Sequence, residues 1–208
     1  KAKVPGASVM LKSGVYLIWD LDTAADIDPV DFLKSCAPHR PVAIQLRAKG
    51  YTTCPQKIMN RLIEACLPAQ IPLIVNDRIE WLQEGCAGLH LGQDDGPSPA
   101  IEGILGRSTH TIHQVRVAVR DPRVDHLGFG PIALTTSKSN ALQPRGLDQL
   151  ADAVDAAGEK PIIAIGGLHK DLLPEIKRRG AHAAAVIGAV FNHDNPPQAF
   201  VDLCEAWG

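Results

Sequence analysis

Several features that would tie this chain to a partner class are missing. Its five cysteines (Cys36, Cys54, Cys66, Cys86, Cys204) are odd in number, scattered, and form no Cys-x-x-Cys pair. That speaks against a disulfide framework or a zinc site and favours reduced thiols. Lys and Arg number 21 against 23 Asp and Glu, a net charge of −2, so no bulk field draws the chain to nucleic acid or a membrane surface. No apolar run approaches membrane-spanning length, and the opening KAKVPGASVMLKSG holds no long apolar segment of the secretory kind. A cytoplasmic protein is expected. No break in composition marks a linker, and 208 residues suit a single domain over 1–208 behind an irregular lead-in at 1–14. A glycine-rich turn after the first apolar run is also lacking. WDLDTAAD has none, which argues against a doubly wound nucleotide-binding sheet.

What the chain does have is alternation, clearest over residues 71–95, IPLIVNDRIEWLQEGCAGLHLGQDD. An apolar run at 71–75 ends on Asn76 and Asp77, a helix-like segment spans 78–84 and stops at Gly85, and a second run at 88–91 precedes Asp94 and Asp95. In parallel α/β folds the strand C-termini form the active-site face. Two neighbouring strands that deliver carboxylates there make a site for a hard cation such as magnesium. Asp77 and Asp95 are the candidates, with a helix cap before Arg78 as the competing role for Asp77.

The same alternation runs through the rest of the chain. Further strands are expected at 15–20, 41–49, 107–110, 124–130, 160–165 and 183–187. Helices are expected at 29–36 behind Asp28, 53–68 behind Thr53, 97–106, 111–120, 146–157, 168–179 and 197–207, with a polar loop at 131–144. Eight strand–helix units imply a parallel sheet, and their number matches a compact (β/α)8 TIM barrel.

Two stretches suggest anion sites. In PVAIQLRAK at 41–49, Val42, Ile44 and Leu46 alternate with Ala43, Gln45, Arg47 and Lys49. In a closed barrel the first set meets the helices and the second converges on the mouth, where two cations and an amide suit a diphosphate. AIGGL at 164–168 and VIGAV at 186–190 place glycines after the last two strands, where barrels often bind a phosphomonoester through backbone N–H groups.

These pieces together resemble the thiamine phosphate synthase (thiamine phosphate pyrophosphorylase) family. The matches are QLRAK at 45–49, IVND at 74–77, GLHLGQDD at 88–95, STHT at 108–111, GFGPI at 128–132, TTSK at 135–138, RGL at 145–147, AIGGL and VIGAV, all in family order across 15–192. The resemblance implies a magnesium-dependent transferase that joins a hydroxymethylpyrimidine diphosphate to a thiazole phosphate and releases pyrophosphate. It implies contacts to the pyrimidine from Gln45 and Ser108, and to the diphosphate from Arg47, Lys49, Asn76 and Lys138. Asp77 and Asp95 would hold magnesium. Thr135, Ser137 and the amides of Gly167, Ile187 and Gly188 would hold the thiazole phosphate. Arg47, Lys49, Ser108 and Lys138 form the implied catalytic set. The partners are small molecules, with a homo-oligomer possible and no nucleic acid or membrane involved.

Departures from the family pattern are Ala48 for a frequent Glu, Ser137 for Thr, Gly188 for Ser, and Arg107 for Gly, a side chain expected to crowd the mouth. His90, on an apolar strand, reads as a core histidine. Two other readings share the barrel. A thiazole tautomerase is opposed by Pro131 and by the presence of Arg47, Lys49, Asp77, Asp95 and Lys138. A non-catalytic binder of thiamine phosphates is favoured only by Arg107 and Gly188.

Overall fold

The computed structural model describes residues 11–134 and 143–208. Within them the chain closes into a parallel barrel in which each strand pairs with the next and the last with the first. The strands are β1 (Gly14–Asp20), β2 (Ile44–Arg47), β3 (Leu73–Asn76), β4 (Gly88–Leu91), β5 (Ile104–Thr109), β6 (His126–Phe129), β7 (Ile162–Ile165) and β8 (Ala183–Val186). The helices are α1 (Leu21–Ala24), α2 (Pro29–Ser35), α3 (Gln56–Ala69), α4 (Ile112–Val119), α5 (Gly146–Ala157), α6 (Leu173–Arg178), α7 (Gly188–Phe191) and α8 (Pro196–Trp207). Among the described residues no helix is long and apolar enough to cross a membrane.

The strands are buried on both faces because helices cover the outside and side chains fill the inside. Period-two alternation sorts them into two layers. Outward-facing Leu17, Trp19, Ile44, Leu46, Leu73, Val75, Leu105 and Leu127 pack against the helices, where the Trp19 ring meets Phe32 at 5.4 Å and Phe191 at 5.0 Å. Inward-facing Tyr16, Ile18, Ile74, Ile104, Ile163 and Ala185 fill the lumen. Ala48 lies in the outer layer, facing away from the mouth. Val42 instead packs with the lumen side chains, because β2 begins only at Ile44.

Local caps follow the sequence where a side chain reaches the first turn. Asp28 accepts from Val30 and Asp31 N–H to start α2. Thr111 and Gln114 form a reciprocal capping box at α4. Other boundaries differ from the expectation. The N-cap of α3 is Pro55 without a side-chain bond, so Thr53 caps nothing. The stretch after β3 holds only a single 3-10 turn, Ile79–Trp81, because the chain has few residues in which to return to the start of β4. No helix forms at 97–106, and β5 begins at Ile104. Pro99 disfavours helical geometry at Ser98, and Gly103 adopts φ +112. The acidic segment after β1, expected as a loop, contains the short α1.

Candidate active site

The strand C-termini bring most of the expected residues to one end of the barrel. Tyr16, Gln45, Arg47, Asn76, His90, Ser108, His126, Ile165 and Ile187 line one pocket there. The pairings Asp20↔Arg47, Asn76↔His90 and Ser108↔Gly128 set the levels of these side chains around the lumen.

On the floor, the Gln45 side-chain amide donates to the Tyr16 hydroxyl at 3.0 Å. Burial pushes the Tyr16 hydroxyl well above its ordinary pKa, so it stays protonated at neutral pH. His90 Nε2 lies 2.9 Å from Ser108 Oγ. The His90 and His126 rings lie 5.6 Å apart and tilted by 32°. They meet over Gly106, where an added Cβ would sit 2.3 Å from His126 Nε2 and 2.4 Å from His90 Nδ1. His126 is buried, and burial pulls its pKa down to about 4, so the ring is neutral at pH 7. His90 is therefore a pocket residue, contrary to its reading as core.

On one wall Arg47 is paired with Asp20 through a short contact, both side chains almost fully buried, and Asp22 lies 3.8 Å from the same guanidinium nitrogen. The Arg47 fork is thus oriented from behind. Asp20 belongs to the lumen face with Tyr16 and Ile18, a role the alternation of VYLIWD could have revealed. Lys49 is exposed just beyond β2 and close enough to Asp77 to favour its charged form.

The two acids meet at the rim. Asp77 follows β3 in a left-handed conformation, φ +60, with its N–H on the His90 carbonyl at 2.9 Å. Asp tolerates this region better than most residues. Asp77 is not a helix cap, since the N-cap of the following turn is Arg78. Burial and the Asp95 carboxyl push Asp77 up to about 6, while Lys49 and Asn76 pull it down. Asp95 lies on the loop after β4 and accepts from Gly92 N–H at 2.5 Å. A Cβ at Gly92 would meet Asp95 Oδ2 at 2.8 Å and Asp77 Oδ1 at 3.9 Å, so a glycine keeps open the space between the two carboxylates.

Two hard oxygen donors driven onto one another, one holding back its charge, fit a divalent oxygen-seeking cation. Among the described residues no group of three or more His, Cys, Asp or Glu could hold a metal. A cation at Asp77 and Asp95 must therefore complete its shell from water and ligand oxygens, as magnesium does with phosphates.

On the far wall, Gly166 and Gly167 adopt φ +96 and +69. Ile132 N–H donates to the Ile165 carbonyl at 3.0 Å, and Ala133 N–H to the Gly166 carbonyl at 2.9 Å. A Cβ at Gly167 would lie 2.3 Å from the Leu134 carbonyl oxygen. Arg145 and Gly146 N–H return to the Pro131 and Ile132 carbonyls at 2.7 and 3.0 Å, so the chain on either side of 135–142 is tied beside this loop. Beside it, after the neighbouring β8, Ile187 and Gly188 lead into α7. Thr135, Ser137 and Lys138 lie outside the described residues.

Arg107 does not crowd the mouth. Alternation along β5 sends Ser108 inward and Arg107 outward, beneath the loop after β4, where it donates to the Gly92 and Gly96 carbonyls. One of the two residues that favoured a non-catalytic binder thus leaves the pocket open.

The family profile described as thiamine monophosphate synthase matches residues 15–190. A thiamine-phosphate synthase from Anaeromyxobacter dehalogenans is 35% identical over 193 residues, covering 89% of this chain and 84% of that one. One from Salinibacter ruber is 39% identical over 154 residues, covering 68% and 67%. The solved thiamine phosphate pyrophosphorylase from Pyrococcus furiosus superposes with a TM-score of 0.76 at 25% identity, covering 95% of each chain.

Proposed function

The chain belongs to the thiamine monophosphate synthase family, and on that premise we infer that it condenses 4-amino-2-methyl-5-hydroxymethylpyrimidine diphosphate with 4-methyl-5-(2-hydroxyethyl)thiazole phosphate, giving thiamine phosphate and pyrophosphate. The observation that carries the assignment of residues is the convergence, at one barrel end, of Arg47, Lys49 and Asn76 with the Asp77–Asp95 pair over a pocket lined by Gln45, His90 and Ser108.

The pyrimidine enters the lumen pocket against Gln45 and Ser108, with the His90–Ser108 contact orienting the hydroxyl. Its diphosphate points to the rim, between Arg47, Lys49, Asn76 and Lys138. The bond between the methylene carbon and the diphosphate oxygen breaks, and its electron pair leaves with pyrophosphate. The pyrimidine stabilises the methylene cation, and the thiazole nitrogen lone pair then closes the new carbon–nitrogen bond. No proton has to be transferred for this exchange.

Neutralisation of the leaving dianion and alignment of two substrates are what the residues must supply. Arg47 and Lys49 provide fixed positive charge, and Asp20 holds the Arg47 fork in position. Asp77 and Asp95 are the magnesium ligands, and the ion, when bound, adds positive charge at the leaving oxygens. The thiazole phosphate sits at the opposite wall on the amides of Gly167, Ile187 and Gly188 with the hydroxyls of Thr135 and Ser137. The family resemblance assigns Lys138 to the diphosphate as well. The five unpaired thiols support a cytoplasmic setting.

The test is incubation with both phosphorylated precursors and magnesium, assayed for thiamine phosphate. Asp95→Ala is expected to lower turnover by two orders of magnitude or more while shifting the melting temperature little, since Asp95 is exposed. Normal turnover of this variant without added metal would remove Asp95 from the site.

A further inference from the structure

Between Leu91 and Ile104 the chain has neither helix nor strand, and Gln93, Asp94, Asp95, Gly96 and Pro97 are exposed. Within this loop Asp95 is tied to Gly92, whose N–H its carboxylate accepts at 2.5 Å and whose carbonyl its own N–H reaches at 3.5 Å. Gly92 and the far side of the loop are in turn held from behind. Arg107, 8% exposed, sits beside the end of β4 in the register pair Leu91↔Arg107. Its Nη1 donates to the Gly92 carbonyl at 3.1 Å, and its Nη2 to the Gly96 carbonyl at 2.8 Å and Ser98 Oγ at 3.3 Å. The two carbonyls bracket Asp95. Ser98 is braced in turn, since its carbonyl accepts from Arg123 Nη1 at 2.5 Å. Arg123 is itself held by two bonds of 2.9 Å to the Asp121 carboxylate.

The acceptors of Arg107 are all neutral oxygens. Among the described residues it makes no ion pair. Burying a cation without a carboxylate is costly, so charge pairing does not explain the residue. A planar fork that spans two carbonyls at fixed separation does, and a lysine ammonium has no such fork.

We propose that Arg107 is a positioning residue for the metal site: its guanidinium clamps the loop after β4 on both sides of Asp95 and so holds that carboxylate against Asp77. The proposal rests on Asp77 and Asp95 being the metal ligands. Asp95 is then ordered before the cation arrives, and the cation does not have to order it.

The test uses the full chain and reads manganese(II) binding by electron paramagnetic resonance in the presence of inorganic pyrophosphate. Wild type, Arg107→Met, Arg107→Lys and Asp95→Asn are compared, with the KM for thiazole phosphate measured alongside. Arg107→Met is expected to weaken manganese binding roughly 10- to 100-fold, the usual effect of losing support behind a metal ligand. The thiazole phosphate KM should stay within about twofold, because that subsite lies on the opposite wall. Arg107→Lys should recover little, since it restores charge without the fork. If Arg107→Met does not fold, Arg107→Lys decides alone: weak binding supports the clamp, and wild-type binding overturns it. Full recovery by lysine, or wild-type binding by Arg107→Met while Asp95→Asn binds poorly, overturns the proposal and leaves the metal assignment standing. Wild-type binding by Asp95→Asn overturns both.

Discussion

With Asp77 in the proposed metal site, a proton and a cation would compete for it. Its carboxyl is pushed up to about 6, first by burial and then by Asp95. Near neutral pH the Asp77 carboxyl is ionised and ready for a cation. Below about pH 6 it retains a proton that binding must displace, so apparent affinity falls by about tenfold per pH unit. Manganese titration with pyrophosphate at about pH 7 and pH 5 measures this, and equal affinity at the two would separate the pair from the metal. Asp77→Asn should bind metal weakly at both, with the pH dependence gone. The single residues Asp77 and Asp95 could be picked out in IVND and GLHLGQDD. That they converge was expected from two neighbouring strands; how closely they approach was not legible, because it depends on the absence of a side chain at Gly92 and on the loop that Arg107 contacts.

At the scale of elements, the loop after β7 carries two demands at once. Gly166 and Gly167 are glycines because their φ angles are +96 and +69, and because residues 131–134 run directly across them. The paired glycines read in sequence as an anion loop, whereas the structure adds a packing role that local sequence does not carry. Gly167→Val should therefore cost roughly 1–3 kcal/mol of stability through strain at a positive φ. It should also raise the requirement for thiazole phosphate while leaving that for the pyrimidine diphosphate nearly unchanged. Melting temperature and the two KM values separate these effects, and an equal rise in both KM values would count against separate subsites. The expected helices at 78–84 and 97–106 failed for a related reason. Their apolar residues have helical spacing, but a short return and Pro99 with Gly103 leave no room for a full helix.

The molecule as a whole keeps a neutral imidazole in its lumen. His126 is held down to about 4 by burial, partly offset by Asp125, with no described hydrogen-bond partner on either ring nitrogen. An unfolded histidine binds its proton near pH 6.5, so the unfolded state takes up more protons between about pH 6.5 and 4. The stability contributed by keeping His126 neutral is fully present above that window and is lost as pH falls through it, roughly 3 kcal/mol in all. Asp77 has the opposite sign. Its folded pKa is raised, so acidification through about 6 relieves the folded state. The two offset, and stability of the native chain, read by urea unfolding, should change little between about pH 6.5 and 4. Asp77→Asn should uncover the His126 loss over the same range. A variant as flat as wild type would mean that His126 is protonated or hydrated inside the barrel.

The sequence by itself determined the succession of eight strands and most of the helices between them, the helix starts at Asp28 and Thr111, and the inward set Gln45 and Arg47 against the outward set Ile44 and Leu46. These depend on residues a few positions apart, within reach of one period or one turn. Tertiary structure decided which face of β5 carried Arg107, the Asp20–Arg47 pair, and the meeting of His90 with His126 over Gly106. In a barrel both faces of every strand are buried, so hydrophobicity hardly distinguishes lumen from helix layer along ILGRST. Only closure of the sheet assigns each face, and only then do residues far apart in the chain become neighbours.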